Sequence, residues 1–226
     1  TQSLPAARSF GCVNCTGSVG GGIAMEKAAA GTFTPLGLEL GGKDPGYVRA
    51  DANLEAAVDT LMDGAMYNAG QCCCGIERIY VHESLYDAFV EKAVAWVKTQ
   101  RLGNPYDAET TMGPMAFAGH RERVRGFIRE AQGSSAQLVC GGAEQPKGLE
   151  RGFFVAPTIF GGVDPASTLA QQEVFGPVLA VIPSRDEDHA VEIANGTIYG
   201  LNGAVWSTDL ARAVAVGRRL RCGKVD

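Results

Sequence analysis

The run Val178-Leu179-Ala180-Val181-Ile182 constrains the fold more than any other part of this chain. Successive strand residues point to opposite faces, so an unbroken apolar run puts apolar side chains on both faces. Both faces must then be covered, which predicts a buried parallel sheet between helices. The rest of the chain agrees. Strand-like segments at 12–16, 36–40, 79–81, 137–140, 158–160 and 204–206 alternate with segments of helical period at 23–30, 53–68, 84–97, 120–132, 186–194 and 210–220. Residues 153–155 add a short apolar stretch before Pro157. That alternation predicts an α/β fold, a largely parallel open sheet with helices on both faces.

Local signals mark the element ends. Asp51 or Asn53 and Asp186 are candidate helix caps, and Ser84 with Asp87 three residues on has capping-box spacing. Gly17 to Gly22 reads as a glycine turn before a helix, and residues 69–75 as a loop carrying three adjacent cysteines. A domain boundary is expected at Gly41-Gly42-Lys43-Asp44-Pro45, where a strand meets a Gly/Pro turn. The basic run Arg218-Arg219-Leu220-Arg221 reads as the charged end of the last helix.

Composition narrows the function. At 226 residues the chain can bury a core without staples, and 46% apolar with 20% charged residues is ordinary for a globular protein. Its 20 Lys and Arg against 25 Asp and Glu speak against a nucleic-acid partner. No apolar run approaches the roughly 20 residues of a membrane span, and residues 1–5 carry no signal-peptide pattern. Both ends read as cuts, as in a segment of a longer protein. Seven cysteines, three of them adjacent, suit free thiols and a cytoplasmic location.

Four motifs carry chemistry. Asn68-Ala69-Gly70-Gln71-Cys72-Cys73-Cys74 places thiols in a helix-to-strand loop, where a thiolate can be a nucleophile. The competing reading is three small buried hydrophobes. Leu38-Glu39-Leu40-Gly41-Gly42-Lys43 sets a carboxylate between leucines at a strand end; an apolar setting would raise its pKa and suit a general base. An exposed edge Glu beside an exposed Lys is the alternative. Thr16-Gly17-Ser18-Val19-Gly20-Gly21-Gly22 is a strand–turn–helix unit able to hold phosphate oxygens, though it lacks the usual G-x-G-x-x-G order. Gln172-Glu173-Val174-Phe175-Gly176-Pro177-Val178 offers an acid for sugar hydroxyls and a ring for a flat base, or simply a turn into a buried strand.

Together these motifs resemble the ordered signatures of the NAD(P)-dependent aldehyde dehydrogenase superfamily. Tyr199-Gly200-Leu201 and Val205-Trp206-Ser207-Thr208-Asp209 resemble its C-terminal region, and the likeness runs from about Cys12 to Val225. The 34 residues from Glu39 to Cys73 also fit. The resemblance implies an aldehyde-dehydrogenase-like fold, with residues 1–41 the end of a dinucleotide-binding domain and 42–226 a catalytic domain. It makes Cys73 the nucleophile that forms a thiohemiacetal and then a thioester, and Glu39 the base that activates water. Gly17, Ser18, Gly22, Leu40, Gly41, Glu173 and Phe175 become cofactor contacts, Glu173 at the nicotinamide ribose and Phe175 near the ring. It implies NAD or NADP as cofactor, a small-molecule aldehyde as substrate and a homo-oligomer, dimer or tetramer. Two features depart from the family: Cys15 replaces the usual Phe before Thr-Gly-Ser, and Gly20 to Gly22 is unusually glycine-rich. Members are longer, and their upstream part supplies most of the dinucleotide-binding sheet. A catalytically incomplete fragment serving as a structural or interaction module is therefore one alternative. A Cys-dependent hydrolase or esterase is another, needing a base beside Cys73. A zinc site on Cys12-x-x-Cys15 lacks a second ligand pair.

Overall fold

The computed structural model describes residues 10–226. The chain divides into two compact units, Thr1–Gly41 and Gly42–Asp226.

In the first unit, β1 (Val13–Thr16) and β2 (Leu36–Glu39) pair in parallel, joined through α1 (Val19–Ala29). The glycine run is not a turn: helix α1 starts at Val19 and runs through all three glycines. Ser18 explains the early start, because its Oγ accepts the Gly21 N–H at 3.1 Å and its carbonyl accepts the Gly22 N–H. Gly22 is buried, and a Cβ there would lie 2.7 Å from the Leu40 side chain.

The second unit is built on a six-stranded sheet of order β5-β6-β7-β4-β3-β8. Its strands are β3 (Asp44–Val48), β4 (Ile76–His82), β5 (Gln137–Cys140), β6 (Thr158–Gly161), β7 (Val178–Ser184) and β8 (Ala204–Trp206). Only the edge pair β5–β6 is antiparallel. Strand β7 lies between β6 and β4 and is buried from Val178 to Ile182, as its apolar run predicts. Helix α2 (Leu54–Met66) lies against β3, β4 and β7, with α3 (Tyr86–Thr99) packed on α2 and β4. Helices α4 (Ala118–Gln132), α5 (Thr168–Gln171), α6 (Glu187–Asn195) and α7 (Leu210–Gly217) complete the unit. Among the described residues no helix is long and apolar enough to cross a membrane.

Several sequence expectations need correction. Strand β3 occupies Asp44-Pro45-Gly46, which reads as a turn in the sequence. The missing Pro45 N–H is tolerated because the ladder to β4 shifts register between Asp44 and Pro45. The Ser84–Asp87 capping box does not form: Ser84 bonds the His82 ring instead, and α3 starts later, at Tyr86. Helix α2 stops at Met66 rather than Asn68. The basic run lies beyond the end of α7 rather than on it. There Arg219 pairs with Asp188, and Arg221 donates to the carbonyls of Asn195 and Thr197.

Asp44 begins β3 fully buried. Its Oδ1 accepts the Asn202 N–H, while its Oδ2 has no hydrogen-bond partner. Desolvation pushes its pKa up to about 7, reinforced by Glu77 and Glu173 and opposed by the Asn202 N–H and by Arg78. The folded state thus binds this proton more tightly than the unfolded chain does. The resulting stability is complete below the unfolded pKa of 3.8 and is lost as pH rises through about 7. Asp44→Asn has no proton to lose. Its unfolding free energy is expected to rise relative to wild type by on the order of 2 kcal/mol between about pH 5 and pH 8. Urea titrations across that range check this, and a pH-independent difference contradicts it.

Candidate active site

Parallel pairing of β3, β4, β7 and β8 puts their amino ends on one edge of the sheet. The segments preceding these strands therefore gather there: Gly42-Lys43 before β3, the cysteine loop before β4, residues 173–177 before β7 and 197–203 before β8. Glycines permit the close approaches. A Cβ on Gly42 would sit 2.6 Å from the Cys73 carbonyl oxygen, and one on Gly70 only 2.2 Å from that of Gly176.

The cysteine loop is held by its backbone. Asn68, Ala69 and Gly70 are consecutively left-handed, with φ of 52°, 55° and 69°. For the two non-glycine residues that conformation costs roughly 1 kcal/mol or more each. Gln71 fastens the turn: its side-chain amide donates to the carbonyls of Asn68 and Pro114, and its Oε1 accepts the Ala116 N–H. Asn68 donates in return to the Gln71 carbonyl at 3.1 Å.

The cysteines beyond it are not buried hydrophobes. Cys73 and Cys74 are exposed and Cys72 half-buried. The Cys72 and Cys74 sulfurs lie 3.4 Å apart, within hydrogen-bond distance for thiols. That contact first, and desolvation second, pushes the Cys74 thiol up to about 11, so Cys74 is held protonated near neutral pH. Within the triplet, Cys73 is thus the exposed thiol outside the sulfur–sulfur contact. All seven cysteines are free.

On the neighbouring loop, Glu173 is half-buried, and its Oε1 accepts the Gly42 N–H at 3.1 Å. Burial above all, and then the nearby Glu77, raises its pKa. Its N–H donates to the Tyr199 hydroxyl, which brings in the segment preceding β8. Phe175 adopts φ 56° and stacks on His120, ring centroids 5.7 Å apart. Beneath lies an ion pair: Lys43 and Glu77, 1% and 4% exposed, with Nζ 2.5 Å from Oε2. Burial pulls the Lys43 pKa below its ordinary value against the opposing pull of Glu77. Lys43 is therefore not the exposed residue of the alternative reading. Arg78, also buried, donates to the Lys43 carbonyl, the Tyr80 hydroxyl and the Ile193 and Ala194 carbonyls at the end of α6.

The first unit gathers the remaining sequence candidates. Thr16 pairs with Glu39 in register, and the Gly17 N–H donates to the Glu39 carbonyl. Gly17, Ser18 and the start of α1 therefore lie beside Glu39, Leu40 and Gly41, with Gly22 against Leu40. Glu39 itself is exposed, so its flanking leucines do not enclose it as expected. Glu39 belongs to the first unit and Cys73 to the second.

Glu77 is the residue that sequence reading missed. The signal was the pair Glu77-Arg78 inside an otherwise apolar strand, where two adjacent charges demand buried partners. Among the described residues no hydrogen bond joins a histidine to Cys73, as a Cys/His hydrolase would need. His82 bonds Ser84, His189 accepts the Arg185 N–H, and His120 stacks on Phe175.

The sequence model of the aldehyde dehydrogenase family matches residues 1–226. The chain is 40% identical over 226 residues to betaine aldehyde dehydrogenase of Bacillus subtilis, covering 99% of this chain and 46% of that protein. Among solved structures, betaine aldehyde dehydrogenase of Staphylococcus aureus in complex with NAD+ is similar at TM-score 0.96 and 36% identity, over 99% of this chain and 45% of that one. A mutant of aldehyde dehydrogenase C from Pseudomonas syringae, complexed with NAD+ and octanal, is similar at TM-score 0.97 and 35% identity, over 99% and 46%. The chain thus spans about half the length of these relatives. With the family model matched from the first residue to the last, this chain belongs to the aldehyde dehydrogenase family.

Proposed function

We propose that the protein carrying this chain oxidises an aldehyde to its carboxylic acid with NAD or NADP, using Cys73 as nucleophile and Glu39 as general base. The observation that carries this is Cys73 itself: an exposed thiol on a rigidly held loop, its neighbours Cys72 and Cys74 occupied with each other. On this reading the first unit is the end of a dinucleotide-binding domain and the second is the catalytic domain.

The residues fit a dinucleotide. The amino end of α1, capped by Ser18, presents backbone N–H groups of the kind that hold phosphate oxygens. Gly17, Gly22, Leu40 and Gly41 line the same strand–helix unit. Glu173 keeps one carboxylate oxygen for Gly42 and has the other for a ribose hydroxyl, while Phe175 offers a flat apolar face. When bound, the cofactor supplies the acceptor for the hydride.

The chain's own part is covalent and acid–base chemistry. The Cys73 thiolate attacks the aldehyde carbon, which splits one difficult step into two. Loss of hydride from the thiohemiacetal so formed leaves a thioester, and Glu39 takes a proton from the water that cleaves it. Its exposure suits a base that must reach water, and its presence favours hydrolysis over transfer to coenzyme A. The family resemblance also carries the expectation of a dimer or tetramer, and the seven free thiols suit the cytoplasm.

Two variants of the full-length protein test the reading. Cys73→Ala is expected to lower NADH formation from simple aldehydes by about 10³-fold or more. NADH formation that survives in this variant contradicts the proposal. Glu39→Gln is expected to slow turnover by about 10²-fold or more, with an acyl adduct on Cys73 visible by intact mass. Wild-type turnover in Glu39→Gln, with no adduct, removes Glu39 from the mechanism.

A further inference from the structure

The proposed chemistry assigns nothing to Lys43 and Glu77, although they form the most deeply buried charge pair among the described residues. Taking two ions out of water is unfavourable unless their remaining valences are satisfied. For Glu77 one loop satisfies them. Glu77 Oε1 accepts the Phe175 N–H at 2.8 Å and the Val174 N–H at 3.1 Å, and Oε2 accepts the Val174 N–H at 2.9 Å. Lys43 holds the same carboxylate from the other side. Because Lys43 follows Gly42, whose N–H meets Glu173 Oε1, the pair also sets where the Glu173 side chain is gripped.

We propose that Glu77, fixed by Lys43, is a positioning residue for the nicotinamide end of the cofactor. It acts by suspending residues 173–175 from two backbone amides. This rests on the assignment of Glu173 and Phe175 as cofactor contacts. A carboxylate is suited to the task because it accepts at both oxygens and donates at neither, so both amides can converge on it. A glutamine in its place turns a donor toward one of them. An apolar pair would fill the volume equally well but could not hold the amides. The left-handed Phe175 needs such a hold, since a bulky residue does not stay at φ 56° unless its surroundings require it. From the opposite side Arg123 donates to the carbonyls of Glu173 and Val174, so the loop is gripped by both its N–H and its C=O groups.

The test uses the full-length protein and the double variant Lys43→Met/Glu77→Gln, which keeps both volumes and removes both charges of the pair together. NAD affinity is read by calorimetry. Alkylation of Cys73 by iodoacetamide without NAD is read separately, as the label lost in a Cys73→Ala background. The dissociation constant for NAD is expected to rise about 10-fold, the effect of losing a charge-assisted hydrogen bond. Cys73 alkylation is expected to stay within about two-fold, because the cysteine loop is held by Gln71 and Asn68 instead. Should the double variant fail to fold, Glu77→Asp keeps the charge opposite Lys43 while withdrawing it from the amides, and the same split is expected. Unchanged NAD affinity in a folded variant overturns the proposal. So does an equal loss of NAD affinity and Cys73 reactivity, which would mark the pair as general scaffolding. The functional reading fails separately, if NADH formation by the wild-type protein does not depend on Cys73.

Discussion

A lysine and a glutamate removed from water need each other and further partners, and in the second unit that requirement ties together segments far apart in sequence. Lys43 leads into β3, Glu77 lies in β4, and the amides that share the Glu77 carboxylate with Lys43 belong to the loop before β7. Removing either partner alone would strand a buried charge, at a cost of several kcal/mol. Arg78, next to Glu77, extends the same network to the Lys43 carbonyl and the end of α6. The cysteine loop joins it sterically, through glycines that leave room for the Cys73 and Gly176 carbonyls.

The sheet explains why this network forms where it does. Ligands in doubly wound α/β folds lie outside the carboxyl ends of the strands, at a reversal of strand order. The first unit follows that habit, with Glu39 and Ser18 just past the carboxyl ends of β2 and β1 or at them. The second unit reverses it. Its candidate residues Cys73, Glu173 and Phe175 all precede their strands and lie at the amino edge. The proposed nucleophile and cofactor-side groups thus sit on pre-strand loops braced by a sheet, a division of labour common in enzymes.

Much of this was legible in the residues. The apolar run of β7, the caps at Asn53 and Asp186 and the loop before β4 are local signals, and each stands in the fold. What stayed hidden depends on contacts distant in sequence. Strand β3 is written in turn-forming residues, and only its pairing with β4 and β8 makes it a strand. Local sequence suggests that Lys43 is exposed, because its partner lies 34 residues away. Leucines beside Glu39 suggest enclosure, but neighbours on a strand alternate faces and do not wrap the residue between them. The cysteine triplet looks like small core residues until three left-handed residues before it lift the loop to the surface. The family resemblance points to Cys73 and Glu173 as candidates, but not to the carboxylate that holds the loop carrying Glu173.

Hydrogen exchange at the Val174 and Phe175 amides tests the central claim most directly, because both N–H groups are bonded to one buried side chain rather than to a strand. We expect both to exchange as slowly as the amides of the β7 core. In the Lys43→Met/Glu77→Gln protein both should speed up together, while Val181 is unchanged. Exchange of these two amides in the wild-type protein at the rate of exposed loops would contradict the claim that the buried pair holds this edge of the sheet together.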